Sequence, residues 1–252
     1  MTGPTPDSPP KVWVVLPTYN EAENLDKIAP AILERLPESR RLLIVDDNSP
    51  DGTGQIADRL AAERADVQVL HRTSKEGIGP AYIAGFRDAL AGGAQLILEM
   101  DADFSHDPAY LPQLLRAAES ADVVIGSRYV PGGGVTDWGK VRRFISRGGS
   151  SYARTMLGLT IRDLTGGFKC FRREVLEAID MDTVAAKGYA FQVEMTYRAI
   201  NAGFSVVEVP IVFRDRTEGN SKMSRAIFAE AIWRVPAMRL RRSRLKGPSD
   251  RA

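Results

Sequence analysis

Cysteine is almost missing from this chain. Cys170 is the single one, which excludes a disulfide framework and fits a reducing cytosol. Histidine is as scarce: His71 and His106 are the only two, they lie far apart, and no Cys/His zinc spacing exists. No apolar run reaches the roughly eighteen residues that a spanning helix needs, so no membrane-spanning helix is expected. Residues 1–10 are polar and proline-rich, so no signal peptide is expected and they read as a disordered tail. Net charge is only +2, which gives no global case for nucleic acid as a partner. Nucleotide signatures of the common kinds are also missing. Gly77 and Gly79 are followed next by Gly85, too late for a dinucleotide fingerprint, and no Gly-Lys-Ser/Thr closes a P-loop. No Ser-His-Asp or Cys-His nucleophile set is apparent.

What is present suits one large α/β domain. The 252 residues are 44% hydrophobic and 26% charged, enough for a sizeable core. Short apolar runs at 11–16, 41–45, 67–71, 96–100 and 123–126 read as buried strands. Between them, 21–36, 53–64, 79–91 and 110–119 read as helices, with Asn20 as the N-cap of the first and Thr53 opening the second. Alternation of this kind predicts a mostly parallel sheet with right-handed crossovers. The second half is less regular. Pro131 to Gly134 reads as a flexible loop, 142–159 and 190–202 as helices, and 168–171 and 206–213 as short strands. The domain is expected to span 11–222. Residues 223–252 form an amphipathic helix broken at Pro236 and a strongly basic tail, part of the same domain. No internal repeat is visible.

The stretch that organises the rest is Asp101-Ala102-Asp103, at the carboxyl end of the strand 96–100. Strand alternation would put both carboxylates on one side and Ala102 on the other. Adjacent carboxylates repel, and a hard cation with oxygen ligands would offset that. The plainer reading is an acidic turn in which Asp107 or Ser105 caps a helix. Pro17 and Asp46-Asp47 also fall at strand ends, so all three converge on the sheet edge where open α/β sheets bind ligands. Asp46-Asp47 can accept hydrogen bonds from a base or ribose, or form an Asx-turn with Ser49. Cations recur in the nearby loops: Lys75, Arg128, Arg142, Arg143, Arg216 and Lys222. A diphosphate and a second phosphate would need several of them, and the plainer reading of each is a solvated surface residue.

Four of these stretches resemble the inverting GT-A glycosyltransferases of family 2: 17–21, 45–53, 100–106 and 126–129. Three more, 163–169, 187–195 and 215–222, resemble the dolichyl-phosphate (polyprenyl-phosphate) mannose synthases within it. The resemblance covers roughly residues 11–228. It implies a GT-A, Rossmann-like sheet flanked by helices, and inverting transfer of mannose from GDP-mannose to a polyprenyl monophosphate. By motif position, Pro17, Tyr19, Glu21, Val45 and Asp47 would hold the guanosine, and Lys75 with Asp101, Ala102 and Asp103 would line the donor. Asp101, Asp103 and Ser105 would surround Mg²⁺ or Mn²⁺. Arg128, Arg216 and Lys222 would contact the donor phosphates, with Asp101, Asp103 and Arg128 as the catalytic set. Arg142 and Ser146 match acceptor-phosphate positions. The acceptor implies a peripheral enzyme on the cytoplasmic face of the membrane. The helix at 142–159 and the basic C-terminal helix would lie in the interface, or a membrane-protein partner would serve instead. Rival readings are a polyprenyl-phosphate glucosyl- or N-acetylhexosaminyltransferase using a UDP-sugar, and a sugar-1-phosphate nucleotidyltransferase.

Overall fold

The computed structural model describes residues 11–136, 138–184, 188–214 and 234–239. Their centre is a seven-stranded sheet in the order β3-β2-β1-β4-β7-β5-β8. Strands β1 (Val12–Thr18), β2 (Arg40–Asp46), β3 (Val67–His71) and β4 (Leu96–Glu99) pair in parallel. β5 (Val123–Ser127) and β8 (Val206–Pro210) also run parallel to each other. β7 (Lys169–Arg172) is inserted antiparallel between β4 and β5. A small second pairing joins β6 (Gly134–Val135) to β9 (Val212–Phe213), so the expected loop at 131–134 ends in a strand and the expected strand at 206–213 is broken at Ile211.

Strand alternation divides the core into two layers. Val12, Val14 and Leu16 of β1 face one layer, with residues of α1 (Ala22–Leu33), α2 (Thr53–Glu63) and α4 (Leu111–Ala117). Trp13 and Val15 face the other, with α3 (Ile78–Ala91), α5 (Lys140–Leu157) and α7 (Tyr189–Asn201). α3 lies so close to β1 that a Cβ on Gly85 would sit 2.3 Å from Val15 Cγ1. A short α6 (Arg173–Ala178) follows β7. The helical residues 234–239 place Val235 and Met238 in the same layer as Ala153 and Leu157. In this piece, then, the apolar face of the C-terminal helix is directed to the core, not to a membrane interface. The remainder of 223–252, and the tail 1–10, lie outside the described residues.

The cap of α1 differs from the expectation. Asn20 has a positive φ of 58° and does not cap the helix. Asp51 does, through the Ala22 N–H at 3.1 Å, while the same carboxylate holds Thr53 N–H and Oγ–H at the start of α2. Burial works against its charge, but these hydrogen bonds outweigh it and hold Asp51 below the ordinary carboxylate pKa. One side chain thus ties the two loops that border the site.

Candidate active site

The carboxyl ends of β1, β2, β3, β4 and β5 open onto one edge, and Pro17, Val45, Asp47, Asp101 and Arg128 lie at or just past those ends. Pro17 and Val45 are direct neighbours in the β1–β2 register. Tyr19 lies under Lys75, whose Nζ is 3.7 Å from the ring centroid. Glu21 is locked by its backbone N–H, which donates to Thr53 Oγ1 at 2.9 Å. The Asx-turn reading of Asp46-Asp47 holds at Asp46. Asp46 makes the Asx-turn, accepting from Ser49 Oγ–H at 2.6 Å and Ser49 N–H at 3.3 Å. Asp47 is also buried and accepts from Arg72 Nη1 at 2.5 Å. Burial raises the Asp47 pKa even though Arg72 works against it. Arg72 was missed in the sequence; its signal was that it follows β3 at the same edge as Pro17 and Asp47.

At the next strand the expected geometry is corrected. β4 stops at Glu99, so strand alternation does not order Asp101-Ala102-Asp103. A tight bend does, with Phe104 at a positive φ of 60°. Ala102 and Asp103 are buried, while the Asp101 side chain is 26% exposed. Three groups fix the bend. The Asp101 N–H donates to His106 Nδ1 at 3.1 Å, Tyr82 Oη–H donates to Asp101 Oδ1 at 3.3 Å, and the Ser105 N–H donates to Asp103 Oδ1 at 3.1 Å. The buried His106 ring stacks on Phe168, with centroids 5.0 Å apart. Burial first, and then the charges of Asp101, Glu99 and Asp103, push the Tyr82 hydroxyl well above its ordinary pKa, so it stays a donor. The helix cap in this stretch is Asp107, which accepts from the Ala109 N–H at 2.9 Å. This is one of the two caps that the plainer reading expects, and it leaves Asp101 and Asp103 outside the cap.

Ser105 Oγ is buried and has no hydrogen-bond partner among the described residues. An orphaned hydroxyl oxygen beside two carboxylates fits a cation with oxygen ligands. Among the described residues no group of three or more His, Cys, Asp or Glu side chains is placed to hold a metal ion.

Arg128 is tied to the 163–169 loop. Its Nε donates to Asp163 Oδ2 and its Nη2 to Asp163 Oδ1, both at 2.7 Å, and Nη2 also reaches Thr165 Oγ1 at 3.0 Å. The pair is buried, with side chains 5% and 0% exposed, and the guanidinium also sits over the rings of Tyr129, Trp138 and Phe213. This makes Arg128 a buried brace between β5 and the 163–169 loop, with Nε and Nη2 committed to Asp163 and Thr165. Burial opposes the charge on Asp163, but the guanidinium and its hydrogen bonds hold the carboxyl below its usual range.

On the rim, Tyr129 Oη–H donates to Ser146 Oγ at 2.6 Å, which places Ser146 of α5 next to the end of β5. Arg142 lies on the first turns of α5, but its side chain is outside the described residues. So are Arg216 and Lys222. Nearby on α5, Phe144 is 80% exposed, between exposed Arg143 and Arg147. Among the described residues no helix is long and apolar enough to cross a membrane.

Comparison with known proteins bears on this geometry. Residues 13–180 match the profile described as glycosyl transferase family 2. The chain is 51% identical over 225 residues to the undecaprenyl-phosphate mannosyltransferase of Micrococcus luteus, covering 89% of this chain and 92% of that protein. It is 50% identical over 244 residues to the polyprenol monophosphomannose synthase of Mycolicibacterium smegmatis, covering 96% and 90%. Among solved structures it resembles the glucosyl-3-phosphoglycerate synthase of Mycobacterium tuberculosis in complex with Mn²⁺, UDP and phosphoglyceric acid. There the TM-score is 0.66 at 18% identity, covering 95% of this chain and 80% of that one. The same enzyme with Mg²⁺ and UDP gives 0.65 at 18%, covering 95% and 81%. At such identity the likeness speaks for the fold alone.

Proposed function

The chain belongs to glycosyl transferase family 2, and on that footing we propose that it transfers mannose from GDP-mannose to a polyprenyl monophosphate with inversion. The observation that carries this is half-identity, over nearly the whole chain, to two proteins named for polyprenyl-phosphate mannosyl transfer. The mostly parallel sheet with flanking helices, and likeness to sugar-nucleotide-dependent synthases, accord with a GT-A fold.

On this reading each residue takes a role. Tyr19 and Lys75 form a platform, and Pro17, Val45 and Glu21 wall the slot in which the guanosine lies. Asp47, oriented by Arg72, accepts hydrogen bonds from the base. Asp101 and Asp103, with Ser105 Oγ, hold Mg²⁺ or Mn²⁺, and Ala102 lines the donor between them. When bound there, the cation offsets the diphosphate's charge as GDP departs. Arg216 and Lys222 supply further positive charge to the diphosphate.

The acceptor phosphate is already ionised near neutral pH, its second pKa being about 6. One of its oxygens attacks the anomeric carbon, the bond from that carbon to the GDP oxygen breaks, and the electron pair leaves with GDP. No general base is needed. Arg142 and Ser146 hold the acceptor phosphate over the donor. The exposed Phe144, flanked by Arg143 and Arg147, suits contact with an anionic membrane surface, which makes the protein peripheral.

The test is transfer of labelled mannose from GDP-mannose to polyprenyl phosphate in vesicles, with UDP-glucose in a parallel arm. Lipid-linked mannose should form, disappear with chelator and return with Mg²⁺ or Mn²⁺. Transfer from UDP-glucose alone, or chelator-insensitive transfer, would overturn the reading.

A further inference from the structure

The motifs at 126–129 and 163–169 have so far only a bracing role. Together they also seat α5, the helix that carries Arg142 and Ser146. Two hydroxyls of that helix, one turn apart, face these motifs. Ser150 is buried, with its Oγ 3.1 Å from Thr165 Oγ1, and Thr165 Oγ1 also accepts from Arg128 Nη2 at 3.0 Å. Ser146 Oγ accepts from Tyr129 Oη–H at 2.6 Å. Residues four apart lie on one face of a helix, so Ser146 and Ser150 dock the same side of α5.

Tyr129 is itself held from several directions. Its N–H donates to Ser127 Oγ at 3.3 Å. The Arg128 guanidinium, fixed by Asp163, lies 5.2 Å from the ring centroid, and that of the exposed Arg147 lies 5.6 Å from it. The loop that follows packs against the same backbone: a Cβ on Gly133 would sit 2.5 Å from the Ser127 carbonyl oxygen. Burial raises the Tyr129 pKa although Arg128 opposes it, so the hydroxyl keeps its proton. That proton goes to Ser146 Oγ. A serine hydroxyl has one proton and two lone pairs, so accepting from Tyr129 leaves the Ser146 proton for another acceptor. A phosphate monoester offers three oxygens for it.

We propose that Tyr129 is a positioning residue for the acceptor: by donating to Ser146 it fixes the serine rotamer and turns the Oγ–H to the acceptor phosphate. This rests on the reading of Ser146 as an acceptor-phosphate residue. Tyr129 acts through Ser146 and not on the reacting atoms. A hydroxyl held in its binding rotamer loses less freedom when the phosphate arrives, and affinity rises by that difference.

The test compares the unaltered protein, Tyr129→Phe, Ser146→Ala and the double variant. It reads steady-state mannose transfer to polyprenyl phosphate in vesicles, and calorimetric titration of GDP-mannose with Mn²⁺ present. Phenylalanine keeps the ring with its guanidinium contacts and removes only Oη. Tyr129→Phe should raise the KM for polyprenyl phosphate about five-fold, as loss of one hydrogen bond gives, and change the Kd for GDP-mannose by less than about two-fold. Ser146→Ala should raise that KM at least as much. Adding Tyr129→Phe to Ser146→Ala should raise it no further, because the tyrosine acts only through the serine. A further rise in the double variant, or an unchanged KM in Tyr129→Phe while Ser146→Ala raises it, overturns this inference alone. Weaker use of both substrates together with a lower melting midpoint marks a merely structural role and also overturns it. An unchanged KM in Ser146→Ala overturns the acceptor reading of Ser146 and this inference with it.

Discussion

Asp163→Asn isolates the brace behind the site. The substitution keeps the shape of the side chain but removes its charge and replaces one acceptor oxygen with a donor NH₂. Asp163 accepts three hydrogen bonds from Arg128, from Nε and Nη2 at 2.7 Å and from the backbone N–H at 2.9 Å. Whichever way the amide turns, one of the guanidinium donors then meets another donor, and the buried guanidinium loses its counter-charge. Removing one partner of a buried pair costs roughly 3–5 kcal/mol. For a domain of this size each kcal/mol moves the melting midpoint by about 2–4 °C, so a fall of roughly 6–20 °C is expected. The pH dependence follows from the sign of the shift. The folded Asp163 pKa is depressed, so its stabilisation is present above the unfolded value near 3.8 and is lost as pH falls through the folded value. The amide that replaces the carboxylate does not titrate, so the variant should lack that part of the acid limb. Guanidinium denaturation at neutral pH and at about pH 3 provides both readings. A loss under about 1 kcal/mol at neutral pH would refute the view of Arg128 as a buried brace.

Asp103→Ala should abolish transfer while leaving the melting midpoint within about 2 °C, since its hydrogen bond from the Ser105 N–H is local to the bend; normal turnover would remove the metal assignment. Arg142→Ala should raise the KM for polyprenyl phosphate about ten-fold or more and change the Kd for GDP-mannose by less than about two-fold; equal effects on both substrates would count against an acceptor role. Burial pushes the Cys170 thiol up to about 12, so iodoacetamide at pH 8 should label it only after denaturation. Rapid labelling of the native protein would contradict its place in the sheet.

Much of the site was legible because its residues sit where strands end, and strand ends show as apolar runs stopped by polar residues. Pro17, Asp47 and Asp101 all announced themselves this way. The same logic would have found Arg72, one step past β3. It could not show that Arg128, which also follows a strand, pairs with Asp163, because a loop arginine facing water and one facing a distant buried aspartate look alike in one dimension. It failed as well for the cap of α1, where Asn20 has the right chemistry but Asp51 has the right position.

The sequence by itself determined the alternation of strands and helices, the sheet edge on which the polar residues collect and the family to which the chain belongs. These rest on periodicity and short contiguous motifs, and both are local properties. The tertiary structure decided which polar residues pair with each other. Asp46 pairs with Ser49 while Asp47 pairs with Arg72, and Arg128 pairs with Asp163. Lys169, on a strand inserted antiparallel beside β4, reaches Gln192 on another element. Apart from the local Asp46–Ser49 turn, these pairings depend on groups far apart in the chain meeting in a buried space, where an unpaired charge is too costly to leave alone. At Asp101-Ala102-Asp103 both levels meet: the sequence placed the carboxylates at a strand end, and His106, Tyr82 and the backbone bend set their direction.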